Sequence, residues 1–217
     1  MQGDRLIIES HHLVAAERIA AMISARAAAH STPYAINIAG ESGSGKSEMA
    51  QALADELTRQ RLKSIVLQQD DYFVYPPSTN DSRRREDIRR VGPQEIQLDW
   101  MDRNIKSIAD GANSIEKPLV FYEDNRVEVE EVDVRGNRVV IAEGTYTSLL
   151  KNSHFRIFID RTYIQTLETR RKRGREAPDP FIERVLELEH EIIKKHKTGA
   201  DVVISADYCV HEPIRKA

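Results

Sequence analysis

The sequence predicts an α/β fold: a parallel sheet with flanking helices on both faces. Three observations carry that prediction. Short β-rich runs alternate with helical stretches along most of the chain. The runs are nearly continuous in apolar residues, as strands covered on both faces are. One of them is followed by Gly40-Glu41-Ser42-Gly43-Ser44-Gly45-Lys46-Ser47, a complete G-x-x-x-x-G-K-[ST] segment that leads into a helix. At 217 residues the chain is long enough for a single domain with a sizeable core.

The elements follow in order. Residues 5–8 read as a short strand, and 12–29 as an alanine-rich helix with Leu13, Ile19, Ala20 and Ile23 on one side. Strands are predicted at 35–39, 64–69, 139–142, 155–159 and 202–205, and helices at 46–60, 93–109, 164–173 and 180–197. The last helix has an apolar stripe of Phe181, Val185, Leu188, Ile192 and Ile193, and lysines at 194, 195 and 197 suit its C-terminal dipole. Two regions break the rhythm. Residues 70–92 are polar, with Pro76-Pro77 and Asn80-Asp81, and read as a long ordered loop. Residues 116–137 alternate Val127, Val129, Val132 and Val134 and read as a small β-ribbon insertion, with Glu130-Glu131 as a bulge.

Composition narrows the classes of function. Hydrophobic residues at 40% and charged residues at 31% are ordinary for a soluble globular protein. The formal net charge of −3 gives no global attraction to nucleic acid or an anionic membrane, so neither is an expected partner. No apolar run approaches a membrane span, and no secretory leader is apparent. Cys209 is the only cysteine, which excludes an intramolecular disulfide and fits a reducing cytoplasm, the expected location. A homo-oligomer stays open.

Chemistry concentrates around the glycine-rich segment. Its glycines let the backbone wrap an anion, while loop N–H groups and the helix start supply donors. Gly40, Ser42, Gly43, Ser44, Gly45, Lys46, Ser47 and Glu48 are therefore the candidate contacts to a nucleotide's phosphates. Lys46 reaches the terminal phosphates, and the Ser47 hydroxyl holds Mg²⁺. Asp70 follows the apolar run 65–67 and so falls beyond the carboxyl end of a strand, near this loop. There a carboxylate can accept a proton from an attacking hydroxyl. Glu143, closing the run Val139-Val140-Ile141-Ala142, is the second candidate for organising the metal.

Arg170, Arg171, Lys172, Arg173 and Arg175 crowd around Gly174; a solvated helix face is the usual meaning of such a run, but its place after a strand and around a glycine favours a hinged lid that neutralises phosphoryl oxygens. Arg83-Arg84-Arg85 and Arg89-Arg90 alternate with acids, which fits either intrahelical ion pairs or a grip on an anionic substrate. Asp71, Tyr72, Asp81, Arg84 and Tyr122 are the candidate contacts to an acceptor. The histidines show no metal-ligand spacing, and His11, His12, His190 and His196 are expected at the surface.

With the phosphate loop, Gln69-Asp70-Asp71-Tyr72-Phe73, Ala142-Glu143-Gly144 and the arginine run in this order, the chain resembles the uridine kinase/phosphoribulokinase family over residues 35–205. The resemblance implies a P-loop NTPase fold, a nucleoside-monophosphate-kinase-like parallel sheet with an arginine-rich lid over 162–180. It also implies an enzyme that uses ATP and Mg²⁺ to phosphorylate a hydroxyl of a small metabolite, uridine or a related nucleoside first, another sugar-like or vitamin-like alcohol second. On that resemblance Asp70 is the catalytic base, and Arg170, Arg173 and Arg175 are lid arginines acting with Lys46. A nucleotide-dependent switch or weak ATPase is the reading from another class.

Three departures bear on substrate. Val91-Gly92-Pro93 stands where uridine kinases carry Asp-His-Pro, residues 121–124 replace their Tyr-Asp-Phe segment, and the lid is shorter. The helix before Tyr34 is an N-terminal extension, 1–33, on a chain otherwise read as one kinase domain.

Overall fold

The computed structural model describes residues 6–168, 170 and 179–212. Five helices and eight strands are named here: α1 (Ser10–Ala29), β1 (Tyr34–Gly40), α2 (Lys46–Arg59), β2 (Ser64–Gln68), α3 (Pro77–Glu86), α4 (Leu98–Ala109), β3 (Ser114–Phe121), β4 (Arg126–Asp133), β5 (Val139–Glu143), β6 (Phe155–Ile159), α5 (Pro180–Ile193), β7 (Val202–Ile204) and β8 (Val210–His211). The main sheet runs β2-β5-β1-β6-β7-β8, parallel throughout except for the last pair.

Parallel pairing fixes where the site must be. The carboxyl ends of β1, β2, β5 and β6 all emerge on one edge, and β1, buried at every position, lies between β5 and β6. On one face α1 and α2 cover the sheet, with Ile19, Ile23, Leu53 and Leu57 packed on Ile36, Ile38, Ile141 and Ile157. The other face is closed by Met101, Ile105 and Ile108 of α4 and Ile193 of α5, against Leu67, Val140 and Phe158. Burying these side chains on both faces is the main favourable term, at about 1.5–3 kcal/mol each before entropy. Helix α1 is no appendage: Ala16, Ile19, Ala20, Ile23 and Ala27 are fully buried in the core.

Several sequence expectations need correction. Residues 6–8 form no strand, and residue 5 lies outside the described residues. The presumed loop at 70–92 contains α3 and short 3-10 turns at Gln69–Tyr72 and Ile88–Arg90. No apolar stripe marks α3, and its N-terminus is capped from elsewhere. Asn125 Oδ1 accepts from the N–H groups of Ser78 (2.8 Å) and Thr79 (3.3 Å). The helix expected at 93–109 starts only at Leu98, behind a turn at Pro93–Glu95, and the last helix stops at Ile193.

The ribbon is real but is a separate two-stranded sheet, and its register is continuous: Lys117 faces Glu130 and Glu116 faces Glu131, with no bulge. What breaks the valine alternation is a change of face. Val132 packs on the core, Val129 points to solvent, and Glu130 pairs inward with the buried Lys117 at 2.8 Å.

Candidate active site

The phosphate loop leaves β1 and enters α2 through Gly45, whose φ of +94° is a conformation natural only to glycine. At Gly43 (φ +73°) an added Cβ would lie 2.6 Å from Arg170 Cγ, so the Arg170 side chain is packed on the loop. The ammonium of Lys46 turns back to donate to the Glu41 carbonyl at 2.9 Å. Ser47, at the helix start, donates to Glu143 Oε1 at 2.9 Å, which joins the ends of α2 and β5.

Glu143 is almost completely buried, and its pKa is pushed up to about 7. Burial is the main cause and the Asp70 carboxylate the next, while Lys46 and the Ser47 hydroxyl pull the other way. Asp70 itself stands half-buried in the turn after β2. Two carboxylates converging on a hydroxyl and an ammonium form a donor set suited to a divalent cation bound with a polyphosphate. Arg170 adds a second sign of fit: its Nε is buried beside the loop without a hydrogen-bond partner among the described residues.

Side chains the sequence did not single out brace this loop. Glu41, at a variable position of the motif, is buried and accepts from the backbone N–H of Tyr163 at 2.5 Å through one oxygen. Its other oxygen meets His190 Nδ1 of α5 at 2.6 Å. Thr166 donates to the Ser42 carbonyl at 3.0 Å. Arg170 donates to the Tyr163 carbonyl at 3.2 Å and pairs with Glu183 at 3.3 Å. Residues 163–166 are thus fastened to the loop by two hydrogen bonds, and Arg170 packs on Gly43. Arg173 and Arg175 lie outside the described residues. His12 is not a surface residue but is buried against the loop from the other side; His190 and His196 are half-buried, and His196 bonds Ser148 at 2.8 Å. None of these roles could be read from histidine spacing.

A cleft of about 540 Å³ opens beside the loop, reaching from Ser42 and Asp70 to Tyr122, Arg84, Tyr146 and Glu189. The acceptor candidates separate here. Asp81 and Tyr122 line the cleft, Asp81 while paired with Arg85 at 2.7 Å. Arg84 also lines it, but its guanidinium is committed to Glu95 through two bonds (2.5 and 2.9 Å) and to Glu189 at 3.2 Å. Glu95 in turn accepts from Asn80 and from the Gly92 N–H, both at 2.9 Å.

Asp71 and Tyr72 do not reach the cleft. Asp71 is buried, pairs with Lys117 at 3.0 Å and accepts from the Val120 N–H at 3.1 Å, anchoring the ribbon. Tyr72 is fully buried with its hydroxyl on Asn104, and burial raises its pKa. In a tight turn successive side chains diverge, so adjacency to Asp70 was no guide. Tyr146, which the sequence did not single out, brings to the cleft wall a buried hydroxyl with no hydrogen-bond partner among the described residues.

Residues 35–205 match the model of the phosphoribulokinase/uridine kinase family. The chain belongs to that family. Among curated relatives, the family member is 29% identical over 191 residues to a bifunctional alpha-galactosidase/sucrose kinase of Mediterraneibacter gnavus, covering 82% of this chain but 20% of that longer protein. It is 25% identical over 189 residues to a uridine kinase of Lactiplantibacillus plantarum, covering 81% of this chain and 88% of the relative. A solved structure of a possible uridine kinase from Bacillus stearothermophilus superposes with a TM-score of 0.62 at 17% identity, over 88% of this chain and 97% of that one, a likeness of fold. These relatives make the fold that of a P-loop kinase.

Proposed function

We propose that the protein is an ATP-dependent kinase that phosphorylates a hydroxyl of a small polyhydroxylated metabolite held in the cleft beside the phosphate loop. The observation that carries the reading is that Asp70 stands at the junction, lining the acceptor cleft while its charge is felt by Glu143 beneath the loop. Mg·ATP supplies the phosphoryl group, with Ser47 and Glu143 as the residues to hold the cation. Asp70 takes the proton of the acceptor hydroxyl as the acceptor oxygen bonds to the terminal phosphorus and ADP departs. Lys46 and the loop N–H groups carry the charge of the terminal phosphates, and Arg170 adds a guanidinium on the lid side.

Uridine or a related nucleoside is the first acceptor to test. A free sugar is the second reading, favoured by Val91-Gly92-Pro93 in place of Asp-His-Pro and by a cleft wall rich in carboxylates, arginines and hydroxyls. The test is ADP release measured across a panel of nucleosides, sugars and sugar-like alcohols, with product mass read for an added phosphate. Release that rises only with one acceptor class supports the kinase and names the class. Release that ignores every acceptor would instead make the protein a switch or weak ATPase.

A further inference from the structure

Behind the phosphate loop, a strained aromatic residue is wedged between the last strand pair and the first helix. Tyr208, in the turn joining β7 to β8, has φ +63°, a left-handed conformation uncommon for a bulky side chain. It is buried, and its hydroxyl donates to the carbonyl of Ser44 at 2.7 Å. The same hydroxyl lies 3.1 Å from Nε2 of His12 on α1.

The direction of that second bond follows from the first turn of α1. The Glu9 N–H donates to His12 Nδ1 at 3.0 Å, so Nδ1 bears no proton. Burial, with His11 beside it, lowers the pKa of His12 to about 4, so the ring is neutral at ordinary pH and carries its proton on Nε2. The bonds therefore run one way: His12 Nε2–H to the Tyr208 oxygen, and Tyr208 O–H to the Ser44 carbonyl. The contact is close. A Cβ on Gly45 would fall 2.0 Å from the Tyr208 hydroxyl and 3.1 Å from His12 Nε2.

In a planar trans peptide the carbonyl and the following N–H point opposite ways. Holding the Ser44 carbonyl outward therefore turns the Gly45 N–H away from Tyr208. We propose that Tyr208, set by His12, is a positioning residue that locks the Ser44–Gly45 peptide with its N–H toward the nucleotide phosphates. Helix α1 then becomes part of the phosphate site, although it contributes no motif residue. This inference rests on the loop binding a nucleotide, as proposed above.

Tyr208→Phe keeps the ring and removes only the hydroxyl. Calorimetric titration with Mg·ADP and Mg·ATP should show affinity about three- to tenfold weaker than wild type, the worth of one hydrogen bond. In amide-detected NMR, the response of the Gly45 N–H to Mg·ADP should shrink in the same variant. A general loss of stability would not single out that resonance. His12→Leu should weaken binding in the same direction, whereas His12→Gln, whose side-chain amide can still donate to Tyr208, should restore it. If wild type binds no nucleotide, the underlying reading fails. If wild type binds and folded Tyr208→Phe binds equally well with an unchanged Gly45 response, this inference alone is overturned. Should Tyr208→Phe not fold, the His12 pair decides: equal affinity in Leu and Gln variants overturns it.

Discussion

The two ends of the site are built differently. The phosphate end is mostly main chain: glycines at positive φ, loop N–H groups and the start of α2, with Lys46, Ser47 and Glu143 close around them. The acceptor end is a lattice of side chains drawn from distant segments, in which Arg84, Glu95, Asn80 and Glu189 bind one another before any ligand arrives. On the function proposed above, chemistry depends on the first end and selectivity on the second. Substitutions at the phosphate end should stop turnover without unfolding the protein, and those in the lattice should cost stability together with acceptor recognition.

Lys46→Ala is the most severe test of that division. It should abolish transfer and greatly weaken Mg·ATP binding while leaving the melting temperature near wild type, read by calorimetry and steady-state assay. Unchanged affinity and turnover would remove the loop from the reaction. Next comes Asp70→Asn, which should lower turnover by roughly two to four powers of ten with ATP affinity nearly intact. Arg170→Ala should cost on the order of a hundredfold in rate, more in kcat than in nucleotide affinity, if it meets charge that develops in transfer. Wild-type kinetics at saturating substrate would return Arg170 to an ordinary loop brace.

The neighbouring carboxylate sharpens the contrast. Asp71→Asn should act on the fold, lowering stability by up to about 3 kcal/mol, the low end for breaking a buried pair, because Glu130 still faces Lys117. Denaturant titration reads this directly. A crippled rate with unchanged stability would show that the wrong carboxylate was assigned to the chemistry.

The mildest effect expected is one of pH. His12 has a pKa lowered by burial first and His11 second, so the unfolded chain binds its proton more readily than the folded one. Its contribution to stability is complete above about pH 6.5 and is lost as pH falls toward 4. Among the groups facing it, Glu48 and Glu9 oppose the shift and Arg161 reinforces it. Melting temperatures across that window should fall less steeply in His12→Gln than in wild type. An identical slope would mean that His12 titrates as it does in the unfolded chain.

How much was legible follows the same division. The phosphate loop, the central strands and the positions of Asp70 and Glu143 could be read because each lies in a local pattern: an apolar run, then the residue at or beyond its carboxyl end. Helix α3 could not, since its ten residues contain no apolar stripe and its cap comes from Asn125, far along the chain. Glu41 occupies a motif position that tolerates any residue, so its bonds to Tyr163 and His190 had no local signature. Tyr146 and Glu189 enter the cleft, and Glu95 braces its wall through Arg84, by tertiary packing alone. The Glu130-Glu131 step was read as a bulge because an inward-facing carboxylate looks like an error until Lys117 is seen opposite it.

The cap on α3 has a further consequence. The β3–β4 ribbon is rooted beside Asp70 by the Asp71–Lys117 pair, and its tip grips the first turn of α3 through Asn125 while Tyr122 faces the cleft. Root, tip and cleft wall therefore form one fixture, separate from the main sheet that carries the proposed catalytic residues. Lengthening or shortening the hairpin would swing α3 toward or away from the phosphate loop and resize the chamber, with Asp70, Lys46 and Glu143 left where they stand. A lineage could in this way trade one acceptor for another by editing a handful of residues near 122–125, and a protein engineer could try the same.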